Sequence, residues 1–336
     1  MAVLVYILLS VIAVKNVVAS FSLSGSADHA AVQSPFTFTC NTSRAVSGIS
    51  WNTDGSSFSV YQDSGTSCNT ASGPADYRYS CTGGIIYTLA IPSVNFSKHG
   101  SKWLCEGIFG GRQSSEITLK VYVPLTTTSM TTRPASVVSG VTNVLQCSTN
   151  PCYPNAAVIW TQYKCCNENN ISITTGVTTD TEYIADSGVI TRSNLTRSYT
   201  WADHEQQIVC SATSDGTTKS SPPLQLVIWV QVAMVTFLNM SSQNEKIGAS
   251  EGFIKLVCVT SPSNPAPTVS WYKNGQRITS GVTDTPGQNS DGLSVTTSYL
   301  LVVVNRSDNG QTVYCMARIQ GQTTRVRSST GILDVW

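Results

Sequence analysis

The chain has 336 residues, 20 Lys and Arg against 19 Asp and Glu, a net charge of +1 and only 12% charged residues. That balance argues against a nucleic-acid surface, which needs a basic excess to displace counterions from phosphates. Eleven cysteines with no CxxC pair, and histidines only at His29, His99 and His204, exclude zinc spacing and point to disulfides in an oxidising compartment.

In chain order, Val3 to Val14 is an apolar run of signal-peptide length. It is too short to span a bilayer, which takes ~20 apolar residues. Val17 and Ala19 suit cleavage near Ala19 or Ser20, so 1–20 reads as a leader, although a positive side chain ahead of the run is missing. The next unit, 21–123, holds Cys40, Trp51 and Cys105, and closes on a predicted strand, Ile117 to Val123. Cys68 and Cys81 lie in its Gly/Ser-rich part and are expected to pair, closing a surface loop worth ~3 kcal/mol on chain entropy. Residues 124–134, rich in Thr and Pro, read equally as an extended, O-glycosylated hinge or as a plain edge strand and loop.

The second unit, 135–230, holds Cys147, Trp160 and Cys210, with Cys152 and the adjacent Cys165 and Cys166 besides. Cys152 is expected to bridge to Cys165 or Cys166. Side chains alternate along a strand, so only one of the two can face it. The other is then a capped thiol or the link in a disulfide-joined dimer. Glu182 and Asp186 read as solvating a loop rather than as a catalytic pair. The apolar run Leu224 to Leu238 reads as the last strand of this unit passing straight into the next, a shorter and stiffer junction than 124–134. A membrane span there would put later cysteines in a reducing compartment. The third unit, 231–336, holds Cys258, Trp271 and Cys315, with an Asn274-Gly275 hairpin signal and a β-branched strand from Ser298 to Val304.

One phrase therefore recurs three times: a cysteine, a tryptophan 11 to 13 residues on, and a second cysteine about 60 residues after the first. The chain resembles the immunoglobulin superfamily, in which that spacing joins two packed sheets by a disulfide with a tryptophan against it. The resemblance implies an all-β fold of three tandem immunoglobulin-like β-sandwich domains. It implies pairs Cys40–Cys105, Cys147–Cys210 and Cys258–Cys315, and core residues Trp51, Trp160 and Trp271. Trp103, Ile208 and Val313 stand where a tyrosine commonly precedes the second cysteine, and Asp203 and Asp308 sit one place early. This form is similar to the domains of nectin-like and nephrin-like adhesion proteins. Gly100 and Gly310, five residues before their cysteines, fit a turn with an unusual backbone angle. Six glycosylation sequons begin at Asn41, Asn95, Asn170, Asn194, Asn239 and Asn305, two of them ten residues ahead of a second cysteine.

No Gly-rich phosphate loop, GxSxG elbow or HExxH occurs, so no catalytic residue, metal or cofactor is expected. The resemblance implies an extracellular protein, secreted or at the cell surface, that binds a protein ligand or a cell-surface receptor through its first domain, homophilically or heterophilically. Aromatic residues and Arg dominate such interfaces, making Phe58, Tyr61, Tyr77, Arg78 and Tyr79 the candidate contacts. The alternatives are a soluble immune-defence or decoy factor and the ectodomain of a growth-factor-type receptor. The last phrase, Gly331 to Trp336, matches the earlier closing strands and leaves both a secreted product and a receptor fragment cut before its anchor open.

Overall fold

Strict alternation sets the orientation of the cysteine-bearing strands. Phe36–Thr42 buries Phe36, Phe38, Cys40 and Thr42 and turns Thr37, Thr39 and Asn41 outward. Thr142–Thr149 and Gly252–Thr260 repeat the phase around Cys147 and Cys258. The computed structural model describes residues 18–62, 68–70, 72–109, 112–164 and 170–336. The expected leader lies almost wholly outside the described residues, as do Cys165 and Cys166.

In domain one a sheet of Phe21–Gly25, Phe36–Thr42, Ile86–Ile91 and Arg78–Thr82 packs on a sheet of Ile117–Thr118, Lys102–Gly107, Gly48–Thr53, Ser56–Gln62 and Cys68–Thr70. Domains two and three repeat this arrangement: Cys147 and Cys258 lie in one sheet, Trp160 with Cys210 and Trp271 with Cys315 in the other. Neighbouring strands are antiparallel, except that one short segment per domain pairs in parallel with the closing strand, as Glu245–Ala249 does with Gly331–Val335. Disulfides Cys40–Cys105, Cys147–Cys210 and Cys258–Cys315 tie sheet to sheet, and Trp51, Trp160 and Trp271 are fully buried beside them. Truncating such a tryptophan to alanine costs about 3–5 kcal/mol.

A buried indole N–H needs an acceptor. Ser193 and Ser298, each opposite the first cysteine of its domain, accept from Trp160 and Trp271 at 3.0 Å. Domain one has Tyr87 at that register position, its hydroxyl donating to the Val46 carbonyl at 2.7 Å. Trp51 Nε1 finds no acceptor among the described residues.

The two junctions are built alike. Val123 exchanges two backbone hydrogen bonds with Tyr153, at 3.0 and 2.9 Å, and Val230 does the same with Asn264, at 2.9 and 3.0 Å. Leu125 and Val232, two residues on, are buried. Asn150 Oδ1 then accepts from the Thr126 and Thr127 amides, and Ser261 Oγ from those of Ala233 and Met234. Phe96, in the turn Phe96–Lys98, lies 5.5 Å from the Tyr153 ring. Trp201, in the equivalent turn Trp201–Asp203, donates to the Asp291 carbonyl at 2.7 Å. Within 124–134, Thr128–Met130 pairs with Cys147–Thr149. Three residues of this segment thus form an edge strand.

Behind each turn one side chain clamps the closing strand: His99, His204 and Asn309 accept from the amides of Val121, Ile228 and Val335, all at 3.0 Å. The next residue is left-handed in all three domains, Gly100 at φ 83°, Gly310 at φ 79°, and Glu205 at φ 63°, where a side chain is disfavoured.

Cys68 and Cys81 form a fourth disulfide, joining Cys68–Thr70 to Arg78–Thr82. Cys152 is a buried thiol packed with Leu125, Ala156 and Ala212, and burial pushes its pKa up. It precedes the strand Ala157–Tyr163, whereas Cys165 and Cys166 follow that strand's other end. Both expected partners of Cys152, and with them the dimer-linking thiol of that scheme, lie outside the described residues.

Candidate functional site

Of the five candidate contacts, two belong to the core. Phe58 is 5% and Tyr77 8% exposed. Both pack on Trp103, with ring centroids 6.5 and 6.4 Å away. Trp103, in the place of a smaller residue, stacks on Phe38 at 4.7 Å and organises an aromatic cluster that draws them inward. Tyr79 is half-buried against Phe58 at 6.0 Å. Burial, with Tyr77 and Asp76 adding to it, pushes its pKa up to about 12. These three side chains serve packing, which corrects their reading as exposed contacts.

Arg78 and Tyr61 are on the surface, but on opposite sheets. Arg78 lies opposite Ala90 on the sheet that also carries Asn41, among outward Thr37, Thr39 and Thr88. Tyr61, 38% exposed, lies on Ser56–Gln62 in the other sheet, opposite Gly48. The two cannot share one compact contact.

The sheet around Tyr61 carries a more concentrated surface. A side chain at Gly48 would meet the Val60 carbonyl oxygen at 2.6 Å, Ile108 Cδ1 at 3.0 Å and Tyr61 Cδ1 at 3.1 Å. Tyr61 and Ile108 therefore approach one another over a position only glycine leaves open. Phe109, the next residue, is 86% exposed. Beside this apolar corner, Asn52 Nδ2 donates to Glu106 Oε1 at 2.9 Å, and Ser50 and Ser57 share a hydrogen bond of 2.7 Å. Lys102 and Glu116 pair at 3.0 Å farther along. The floor is rigid because Gly48–Thr53 is central, paired with Ser56–Gln62 on one side and Lys102–Gly107 on the other. Asn52, Glu106, Ile108 and Phe109 escape a search for aromatic-rich stretches. Their signal is the phase of the strand: residues 104, 106 and 108 alternate with the inward Trp103 and Cys105.

Five sequon asparagines are exposed and Asn194 is half-buried. Asn95 and Asn305 both occupy the N-cap position of the short turn before the second cysteine of their domain, and Thr200 holds that place in domain two. Among the described residues no three metal-ligating side chains converge, and no helix is long and apolar enough to cross a membrane.

Residues 239–326 match the family model of the CD80-like C2-set immunoglobulin domain. No curated protein matches the chain in sequence. Among solved structures, the crystal structure of Rst D1-D2 aligns with a TM-score of 0.46 and 14% identity, covering 63% of this chain and 100% of that one. Bovine butyrophilin aligns with a TM-score of 0.37 and 16% identity, covering 60% of this chain and 97% of its own. With domain three matched to that family, and domains one and two repeating its inter-sheet bridge and buried tryptophan, the chain is a tandem array of three immunoglobulin-like domains.

Proposed function

We propose that the chain is an extracellular, non-catalytic binding protein that recognises a protein partner, in adhesion or cell recognition, through the Tyr61 face of domain one. The observation that carries this is the apolar corner of Tyr61, Ile108 and Phe109 beside the central strand Gly48–Thr53, bordered by the Asn52–Glu106 pair. An exposed aromatic anchor with a polar border is the arrangement that concentrates binding energy at protein interfaces. Four disulfides support an oxidising, extracellular setting.

The test displays residues 21–336 at high density on beads, because weak adhesive contacts need avidity to be seen. Beads are mixed with one another and with a panel of cells. The expected result is clustering or cell attachment that falls at least tenfold in Tyr61→Ala/Phe109→Ala, with an unchanged melting temperature. Self-clustering identifies a homophilic contact, and cell attachment alone a heterophilic one. Undiminished binding by the double variant, or no binding by disulfide-intact protein, overturns the reading.

A further inference from the structure

Domain three presents a different surface on its corresponding sheet. On the strands Pro267–Lys273 and Thr312–Ile319, the residues out of phase with Trp271 and Cys315 face outward. Their register sets Tyr272 opposite Tyr314, Ser270 opposite Met316 and Thr268 opposite Arg318. The two tyrosine rings stack at 5.1 Å and 8°. Arg277 lies opposite Tyr272 on the next strand, and on the other side the Arg327 guanidinium lies 3.6 Å from the centre of the Tyr314 ring. A tyrosine pair is thus flanked by arginines across four strands. Next to it, Ser270, Tyr272, Arg277, Met316, Arg318 and Arg325 line a cleft of about 300 Å³, the low end of the range for small-ligand sites.

Arg327 also donates to Thr330 Oγ1 at 2.9 Å. Among the described residues the ion pairs of this domain are Lys246–Asp334, Lys273–Asp308 and Arg306–Glu251, and none uses Arg277, Arg318 or Arg325. All three arginines are exposed. Asp334, on the same sheet, is already held by Lys246 at 3.4 Å. Three strand spacings put Arg277 and Arg327 about 14 Å apart, and four residues along a strand put Tyr314 and Arg318 about 13 Å apart. One carboxylate cannot engage guanidiniums so dispersed, whereas a chain of repeated anions can. The guanidinium fork matches the terminal oxygens of a sulfate ester. The stacked tyrosines offer a flat apolar surface to a sugar ring, and the Thr and Ser of the floor offer hydroxyls.

The geometry points to this face as a binding site for a sulfated polysaccharide, separate from the protein-binding face of domain one. The test measures binding of the full 21–336 array to immobilised heparin at ~0.15 M salt. The expected result is retention that weakens as salt rises, by counterion release. Arg277→Ala/Arg318→Ala/Arg325→Ala should lower affinity at least tenfold without changing the melting temperature, since all three side chains are exposed. The charge-matched variant Arg44→Ala/Arg78→Ala/Arg112→Ala should bind as wild type. Hyaluronan, which carries carboxylates and no sulfate, should bind at least tenfold more weakly than heparin. No retention of wild type, equal losses in the two triple variants, or equal binding of hyaluronan would each overturn the proposal. None of these outcomes depends on whether domain one binds a protein.

Discussion

A single hydroxyl decides whether a core indole is satisfied in this chain. Ser298 accepts from Trp271 at 3.0 Å in a position closed to water. Ser298→Ala leaves a buried donor without a partner and should lower the stability of domain three by about 1–3 kcal/mol. Urea denaturation followed by tryptophan fluorescence measures it, and a loss under ~0.5 kcal/mol would show that the indole finds another acceptor. Asp308 works by charge. The Lys273 ammonium, donating at 2.8 Å, and the Asn305 amide hold its carboxyl below the ordinary value of 3.8. A depressed carboxylate stabilises the fold above its unfolded value, and that contribution is lost as pH falls through the lower folded value. Asp308→Asn should therefore be less stable than wild type at pH 7, with the gap narrowing below about pH 3.8. Thermal melts from pH 7 to 2 read the gap, and a constant difference would assign the effect to something other than ionisation.

At the scale of elements, alternation and cysteine spacing made the sandwich legible in the residues alone. Phe36, Phe38 and Cys40 share one face because they are two apart, and the tryptophans lie where the bridge needs them. The inward turn of Phe58 and Tyr77 was not legible. It depends on Trp103 filling the space between the sheets, a contact across about 45 residues of sequence for Phe58 and about 26 for Tyr77. The Tyr61 corner was hidden for a related reason: Ile108 and Tyr61 meet only through the register of three strands over Gly48. The segment 124–134 was ambiguous because Thr favours strands as readily as it populates linkers. The partner that decides the matter, Cys147–Thr149, gives no local sign.

For the whole molecule, the matched junctions imply a stiff array. Each combines a two-bond backbone bridge, a buried aliphatic residue and an aromatic side chain from the preceding turn. Tyr153 is the aromatic centre of the first, 4.1 Å from His99 and 5.5 Å from Phe96. Tyr153→Ala should leave the domains folded and loosen that junction. Small-angle scattering should show a shorter maximum dimension and a broader distance distribution, while an unchanged profile would assign stiffness to the backbone bridge alone. The inter-sheet disulfides add a mechanical consequence. They close loops with sequence separations of 65, 63 and 57. Under tension between its ends, a ruptured domain can pay out only the chain outside its loop, because the covalent bond carries the load past the rest. At about 3.4 Å per residue this withholds roughly 200 Å of extension per domain. The array can therefore lose the fold of a domain under load and still hold its two ends within a short reach, and reduction of the bridges would convert the same load into a far longer tether.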